Sequence, residues 1–404
     1  MKPIFMWIFK ILLIASVMVV PVKAEIYKYK DAKGNTVYSD KPTSSTSQTV
    51  KNTTSQATSG ASTVAADQTV PVKWHPGHYV MVYPQGTSTD ASHKAYMDSV
   101  IQEVGINPAF QGIQKQYFWN KLEPAKGVYD FSEIKKDLAA LALVHKRLVV
   151  SFQERSYNTG DVYAPKYLLT SEYAGGVYSY NSGKGFNVNY WHEGVQDRLV
   201  ALVTEMGKQL NGYSNLEAVN LEETAHSNHD QVWVKNYSTK YYNGVIRVAL
   251  ATKTAFPNTV VIQYINYADW NMDKIVSAMV GAGIGLGGPD VSEKDTGLLN
   301  TSYQIIQNQS GKLPIGMAVQ YLNYDFNNGR GPKDPPSIAS IHAFAQNTLK
   351  ANYIFWMRRT KEPWNGSDYY QDILIHMNTL NWTASPKGGL DTKCPTLLKA
   401  CNTN

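Results

Sequence analysis

Leu216-Glu217-Ala218-Val219-Asn220-Leu221-Glu222-Glu223-Thr224-Ala225-His226 is the stretch on which the reading of the fold turns. It reads as a short buried strand that ends abruptly in acid, hydroxyl and imidazole groups. A strand alternates its faces with period two, so Asn220 and Glu222 share one face while Val219, Leu221 and Glu223 share the other. In a closed parallel sheet the apolar set packs on surrounding helices, leaving Asn220 and Glu222 to line the mouth at the strand's carboxyl end. Glu222 is therefore the expected site acid. The competing expectation is that one of the two glutamates only serves the first turn of the next helix, where acids are favoured.

Working outward, comparable apolar runs recur from Trp74 onward. They cover residues 79–83, 109–113, 148–153, the opening stretch, 260–266, 284–287, 315–321 and 353–356. Helix-like segments lie between them, among them 131–145, 193–210, 240–254 and 338–349. Eight buried strands alternating with helices over roughly 300 residues predict an α/β chain built as a (β/α)8 TIM barrel. The rival is an open doubly wound sheet, but no Gly-rich phosphate fingerprint follows the first strand.

Such a barrel builds its site from the strands' carboxyl ends, so the residues closing each run are the candidates. They are polar: Gln153 and Glu154, Glu222 and Glu223, Asn266 and Asp269, Asp290, Gln320 and Asp325, then Trp356 with Arg358. Asp269 and Asp325 are expected as caps or loop acids. The others bring acids and amides together among aromatics. That suits a sugar, whose apolar ring faces stack on indole or phenol while its hydroxyls need donors and acceptors. His226 and His229, near Asp230, lack a further histidine at ligand spacing, so neither a metal nor a cofactor is expected.

Composition bounds the remainder. Lys2 and Lys10 flank the start of an apolar run from Ile11 to Val20, closed by Val22-Lys23-Ala24, which predicts a signal peptide over 1–24. No later apolar run is long enough to span a bilayer. The net charge of +6 includes Lys2, Lys10 and Lys23, and no basic cluster follows, which argues against a nucleic-acid partner. Residues 25–42 alternate apolar and polar around Asp31-Ala32-Lys33-Gly34-Asn35, the pattern of a small β-hairpin domain. Residues 43–73 are rich in Ser, Thr, Ala, Gln and Val with no hydrophobic period and read as a flexible linker. The barrel is expected over 74–383. A tail over 384–404 holds Cys394 and Cys401, expected to pair as a disulfide in an oxidising compartment.

Two resemblances add to this. The hairpin, Ile26-Tyr27-Lys28-Tyr29 with a Gly turn and Tyr38-Ser39-Asp40-Lys41-Pro42, resembles the small uncharacterised amino-terminal domain of many exported proteobacterial proteins. That implies a Gram-negative envelope location, periplasmic or secreted. Trp119-Asn120-Lys121-Leu122-Glu123-Pro124-Ala125-Lys126-Gly127-Val128-Tyr129-Asp130-Phe131 resembles the strand-two motif of retaining (β/α)8 glycoside hydrolases of the cellulase and β-galactosidase clan. In that family Glu123 is structural, with Asp130 capping the next helix and Phe131 packing. The resemblance puts an acid/base glutamate at Glu222 or Glu223 and an aromatic platform at Trp356. The family's nucleophile, a glutamate ending strand seven, has no counterpart, because the chain offers Gln320-Tyr321 there.

Hydrolysis of a glycoside needs two carboxyls, about 5 to 5.5 Å apart for retention and about 6.5 to 9.5 Å apart for inversion. Asp290, on the turn Gly287-Gly288-Pro289-Asp290, is the expected second carboxyl. The expectation is thus an exported glycoside hydrolase acting on a polysaccharide or oligosaccharide, with Glu222 and Asp290 catalytic. Trp119, Asn220, Glu223, Asn266, Gln320, Tyr321 and Trp356 are the expected sugar contacts. The alternative is a carbohydrate-binding barrel without hydrolase activity.

Overall fold

The structure is a computed structural model that describes residues 27–30, 36–39, 48–49, 71–83, 90–180, 184–267, 271–325, 336–358 and 369–404. The chain divides into two compact units, Met1–Thr63 and Val64–Asn404. In the first, β1 (Tyr27–Lys30) and β2 (Thr36–Ser39) form the antiparallel hairpin that the alternation predicts, with Lys28 opposite Tyr38. A third strand, β3 (Gln48–Thr49), pairs with β1 through Tyr27 and Thr49. It falls within the stretch read as linker, where two residues are too few to give a hydrophobic period.

The second unit runs β4 (Val72–Lys73), β5 (Gly77–Val82), α1 (Asp90–Ile106), β6 (Phe110–Phe118), α2 (Trp119–Leu122), α3 (Ser132–Leu143), β7 (Arg147–Gln153), β8 (Val177–Tyr180), β9 (Gly185–Val188), α4 (Glu193–Leu210) and β10 (Leu216–Leu221). It continues with α5 (Gln231–Ala255), β11 (Val260–Tyr264), α6 (Met272–Ala282), β12 (Gly285–Gly288), α7 (Thr296–Leu299), α8 (Ser302–Asn308), β13 (Ile315–Val319), α9 (Tyr321–Asp325), α10 (Ile338–Asn347), β14 (Tyr353–Met357), α11 (Tyr369–Thr379) and β15 (Cys401–Asn402). Strands β5, β6, β7, β10, β11, β12, β13 and β14 close into a parallel barrel. Each corresponds to one of the eight apolar runs.

Alternation explains why these runs close. One set of side chains fills the barrel: Tyr79, Met81, Val149, Ala218, Ile262, Tyr264, Ala318, Tyr353 and Phe355 are buried together. The intervening set, including Val80, Val150, Val219, Leu221, Val261 and Ile354, packs outward with helix residues such as Leu138 and Leu199. Helix α4 shows the matching stripe, burying Val195, Leu199, Leu202, Val203, Met206 and Leu210 at three- and four-residue steps. It crosses α5 so closely that a Cβ on Gly207 would lie 2.4 Å from the Ala255 carbonyl oxygen. No helix among the described residues is long and apolar enough to cross a membrane.

The strand-two motif acquires a physical role here. The fully buried Glu123 accepts from Trp119 Nε1 at 3.0 Å and from the Gly127 amide at 2.9 Å, and pairs with Arg198. Asp130 accepts from the Ser132 amide at 2.9 Å, at the start of α3, and Phe131 is buried. At the opposite end of β10 from Glu222, buried Glu217 closes the barrel floor. It accepts from the His75 amide at 2.6 Å and the Tyr353 hydroxyl at 2.8 Å, and lies 3.5 Å from Arg147. A disulfide joins Cys394 to Cys401, and β15 pairs with β4, tying the carboxyl-terminal segment to the strand that precedes the barrel.

Three imidazoles meet where β5, α10 and α11 pack. The His78 and His342 rings are 5.0 Å apart, and His342 Nδ1 lies 3.0 Å from His376 Nε2. Burial, then the neighbouring histidines, lowers the proton affinity of His78 far below its usual value and that of His342 to about 4, while burial also lowers His376. Lys387, near His78, acts both ways: a hydrogen bond at its backbone opposes the shift, and its charge adds to it. The folded state therefore binds fewer protons than the unfolded chain between the unfolded histidine value, about 6.5, and the lowered folded values. The stabilisation is complete above that window and is lost as pH falls through it. The urea midpoint is expected to drop between about pH 7 and pH 5, where surface histidines alone produce little slope. Equilibrium unfolding across that range checks this.

Candidate active site

The end of β10 gathers the polar side chains singled out in the sequence. Asn220 points into the barrel, where Gln114 donates to it at 3.5 Å and to the Tyr264 hydroxyl at 3.0 Å. Leu221 packs outward. The next two residues, both half-buried, have different surroundings. Glu223 forms an ion pair with the buried guanidinium of Arg155, 2.5 Å from Nη1, and also accepts from Asn266 Nδ2. Glu222 has no cation bonded to it among the described residues. Its carboxyl accepts from the Tyr157 hydroxyl at 2.8 Å, and its carbonyl from Gln263 Nε2.

This contrast sets the charge. Burial first, then repulsion from Glu154 and Glu223, raises the Glu222 carboxyl to about 8, against the opposing pull of Arg155 and the Tyr157 hydrogen bond. It holds a proton at neutral pH. Glu154, beside it, is raised to about 7, again by burial first, with Arg155 and the Tyr190 hydrogen bond opposing.

Asp290 follows β12, a strand of three glycines and one leucine. A Cβ on Gly287 would lie 1.8 Å from the Gly316 carbonyl oxygen, so glycine is what allows β12 and β13 to pair here. Asp290 Oδ1 accepts from Asn323 Nδ2 at 2.9 Å, and its backbone carbonyl accepts from the Tyr303 hydroxyl at 3.0 Å. Burial raises its carboxyl to about 6; the Asn323 bond opposes this and repulsion from Glu223 and Asp295 adds to it.

Gln320, where the nucleophile was expected, supports this turn. Its Nε2 donates to the Pro289 carbonyl at 3.0 Å, its amide nitrogen donates to Asn323 Oδ1 at 2.7 Å, and Tyr83 donates to its Oε1 at 3.4 Å. Tyr321 is half-buried beside it, its amide 3.3 Å from Met357 Sδ. The Tyr83 hydroxyl is pushed above its usual range by burial and then by Glu222 and Asp290. Both carboxyls thus act on one hydroxyl at the end of β5.

Four of the residues expected as sugar contacts are buried. Trp356 is fully buried on the helix side of β14, donating to His78 Nδ1 at 3.0 Å, because it alternates with the inward Phe355. Trp119 is fully buried against Glu123. Asn220 is 1% exposed, one layer below the mouth. Asn266 is buried too and reaches the site only by holding Glu223. Trp356→Ala is expected to cost about 3–5 kcal/mol of stability, as for a core aromatic, with the oligosaccharide affinity of the folded variant unchanged. Thermal melts paired with calorimetric titration check this.

The exposed aromatics at this end come instead from loops. Tyr157 is 54% exposed beside Glu222, and Tyr267 is 52% exposed with its hydroxyl 3.3 Å from Asp295. Phe118 and Tyr163 stack at 4.2 Å. Sequence reasoning missed Tyr157, Arg155 and Tyr83. The one signal for Arg155 was its position directly after Gln153-Glu154 at a strand end. His226 accepts from the Asn228 amide at 3.1 Å and packs on Trp233, Tyr241 and Tyr242. Asp269 and the Asp325 side chain lie outside the described residues.

A family model described as a domain of unknown function, DUF4124, matches residues 13–69, which include the hairpin. No curated protein matches the chain. Among solved structures, the chain is similar to a β-galactosidase from Rahnella sp. R3, at 10% identity and a TM-score of 0.52 over 80% of this chain and 58% of that one. It is also similar to a β-galactosidase from Bacillus circulans sp. alkalophilus, at 11% identity and 0.48 over 74% and 52%. A third is endo-glycoceramidase II from Rhodococcus sp., at 9% identity and 0.48 over 76% and 80%. The chain spans little more than half the length of the two β-galactosidases. The fold, a closed (β/α)8 barrel, is shared with the Rahnella β-galactosidase.

Proposed function

We propose that this chain is an exported glycoside hydrolase acting on a polysaccharide or oligosaccharide. The observation that carries the reading is the pair Glu222 and Asp290: one carboxyl protonated at neutral pH and one ionised, both acting on the Tyr83 hydroxyl. Environments that push two carboxyls apart assign the acid and its partner. Glu222 donates its proton to the glycosidic oxygen as the bond from that oxygen to the anomeric carbon breaks. Asp290 either bonds to that carbon or takes a proton from the attacking water, and the anomer released tells which. Glu223, Gln320 and Tyr321 border the bound sugar, and Tyr157 and Tyr267 offer it ring faces. The Cys394–Cys401 disulfide and the envelope-type amino terminus favour a periplasmic or secreted location.

Activity then requires Asp290 ionised and Glu222 protonated. A bell-shaped kcat/KM profile is expected, with an acid limb near about 6 and an alkaline limb near about 8. The test is a panel of nitrophenyl glycosides and natural oligosaccharides, followed by product release and, for any that turn over, by the pH profile. Saturable oligosaccharide binding without product on any of them would favour the second reading, a carbohydrate-binding barrel. Gln320 at the end of β13, engaged with the Pro289 carbonyl, is the observation that speaks for it.

A further inference from the structure

The mechanism above leaves one buried carboxyl without a part. Glu154, directly after β7, is 3% exposed. Its Oε1 accepts from the Tyr190 hydroxyl at 2.9 Å, while its Oε2 is buried with no hydrogen-bond partner. A buried carboxylate oxygen with nothing to accept from is costly, so Glu154 competes for a proton with the carboxyls beside it. The surrounding cation does not supply the missing partner. Arg155, adjacent in sequence, gives Nη1 to Glu223 and Nη2 to the Ala225 carbonyl and the Tyr241 hydroxyl.

The register brings the carboxyls together. β7 and β10 are parallel neighbours with Ser151 opposite Asn220, so the residues that follow, Glu154 on one and Glu222 and Glu223 on the other, leave the barrel side by side. Tyr190 packs on Tyr241 at 5.4 Å, and Gln153 Nε2 donates to the Arg155 carbonyl at 2.5 Å, which fixes the backbone on which Glu154 sits. Three carboxyls therefore face one guanidinium. Glu223 takes that charge, leaving Glu154 and Glu222.

We propose that Glu154 is a positioning residue for Glu222: the two carboxyls, one buried and one half-buried, hold one proton between them, and the fixed negative charge of Glu154 keeps that proton on Glu222 until the sugar takes it. The raised proton affinity of both groups agrees with this: burial comes first for each, then repulsion from Glu154 and Glu223 for Glu222, and for Glu154 repulsion from Glu223 against the pull of Arg155 and Tyr190. When Glu222 gives up the proton to the glycosidic oxygen, the anion it becomes faces the anion of Glu154. This favours recovery of a proton, from the attacking water where Asp290 has bonded to the anomeric carbon and from solvent where Asp290 has taken the water's proton, and resets the pair. Glu154 itself neither gains nor loses an atom over the cycle. The inference rests on the acid role proposed for Glu222, and its test is chosen to be independent of turnover.

The experiment follows carboxyl-labelled glutamate resonances by NMR across the pH range in the full chain, in Glu154→Gln and in Glu222→Gln. Coupling is reciprocal, so Glu154→Gln should lower the Glu222 titration by about one pH unit or more, and Glu222→Gln should lower that of Glu154 by the same amount. Where the enzyme turns over, the alkaline limb of kcat/KM in Glu154→Gln should move to lower pH by that shift, with KM unchanged. A Glu222 titration that stays in place in Glu154→Gln overturns the proposal, even if the variant melts earlier, because a purely structural role predicts that pattern. If Glu154→Gln does not fold, Glu222→Gln reads the same coupling from the other side, and an unmoved Glu154 titration there overturns it equally. Reciprocal shifts with no hydrolysis of any glycoside count against the reaction assigned to this site and leave the shared proton standing.

Discussion

Glu222→Gln should lower kcat on an unactivated glycoside by about 10²- to 10⁴-fold at neutral pH, the usual contribution of a general acid. The variant should fold as well as the parent or better. A glutamine copies the protonated carboxyl in shape and charge, and the parent group already carries its proton there. The linkage has a definite sign. The folded value near about 8 lies above the ordinary glutamate value, so the folded state holds a proton that the unfolded chain has released between those two values. The parent therefore loses stability as pH rises through that window, and Glu222→Gln should lose less. On a nitrophenyl glycoside, whose leaving group departs without protonation, the kinetic penalty should shrink. Steady-state rates on both substrate types, with melting curves at acid and alkaline pH, decide this. Equal penalties on both types would remove the acid role, and a fully active Glu222→Gln beside an inactive Glu223→Gln would sink the parity argument.

Alternation along the strands is what the chain discloses best. The eight strands were legible because each is an apolar run bounded by polar residues, and alternation along β10 separated Asn220 from Val219 and Leu221 correctly. The same rule applied to β14 would have put Trp356 outward with Ile354, since Tyr353 and Phe355 fill the barrel. There the family resemblance and the pattern diverge: the resemblance implies a platform at Trp356, while the pattern places it in the helix-side core, where it is buried. What the sequence could not disclose was the company each carboxyl keeps. Glu222 meets Tyr157 from 65 residues away, and Glu223 meets Arg155 from 68. No local pattern marks such pairs, because the loop after β7 is placed by Tyr180 donating to the Ser156 carbonyl and by the β8–β9 hairpin. The exposed aromatics near the site are hidden for the same reason: Tyr157 and Tyr267 sit on loops without periodicity.

Removing Glu223 is expected to fail differently from removing Glu222. Arg155 is 1% exposed and forms its ion pair with Glu223. Breaking a buried pair by neutralising one partner typically costs about 3–5 kcal/mol, because the remaining charge stays buried without compensation. Glu223→Gln should therefore lower the melting temperature markedly, whereas Glu222→Gln should not. Arg155→Met should also destabilise, since it leaves Glu223 without its cation, but the double variant Arg155→Met/Glu223→Gln should recover much of the loss, as buried pairs replaced together often do. The double-mutant cycle, read by urea unfolding, measures the coupling directly. A Glu223→Gln variant that unfolds at the parent's midpoint would mean the pair is not what holds the mouth together. The distinction also governs how activity losses are interpreted. A rate lost together with the fold assigns Glu223 to the scaffold that keeps Arg155 in place, and a rate lost from an intact fold assigns Glu222 to the chemistry.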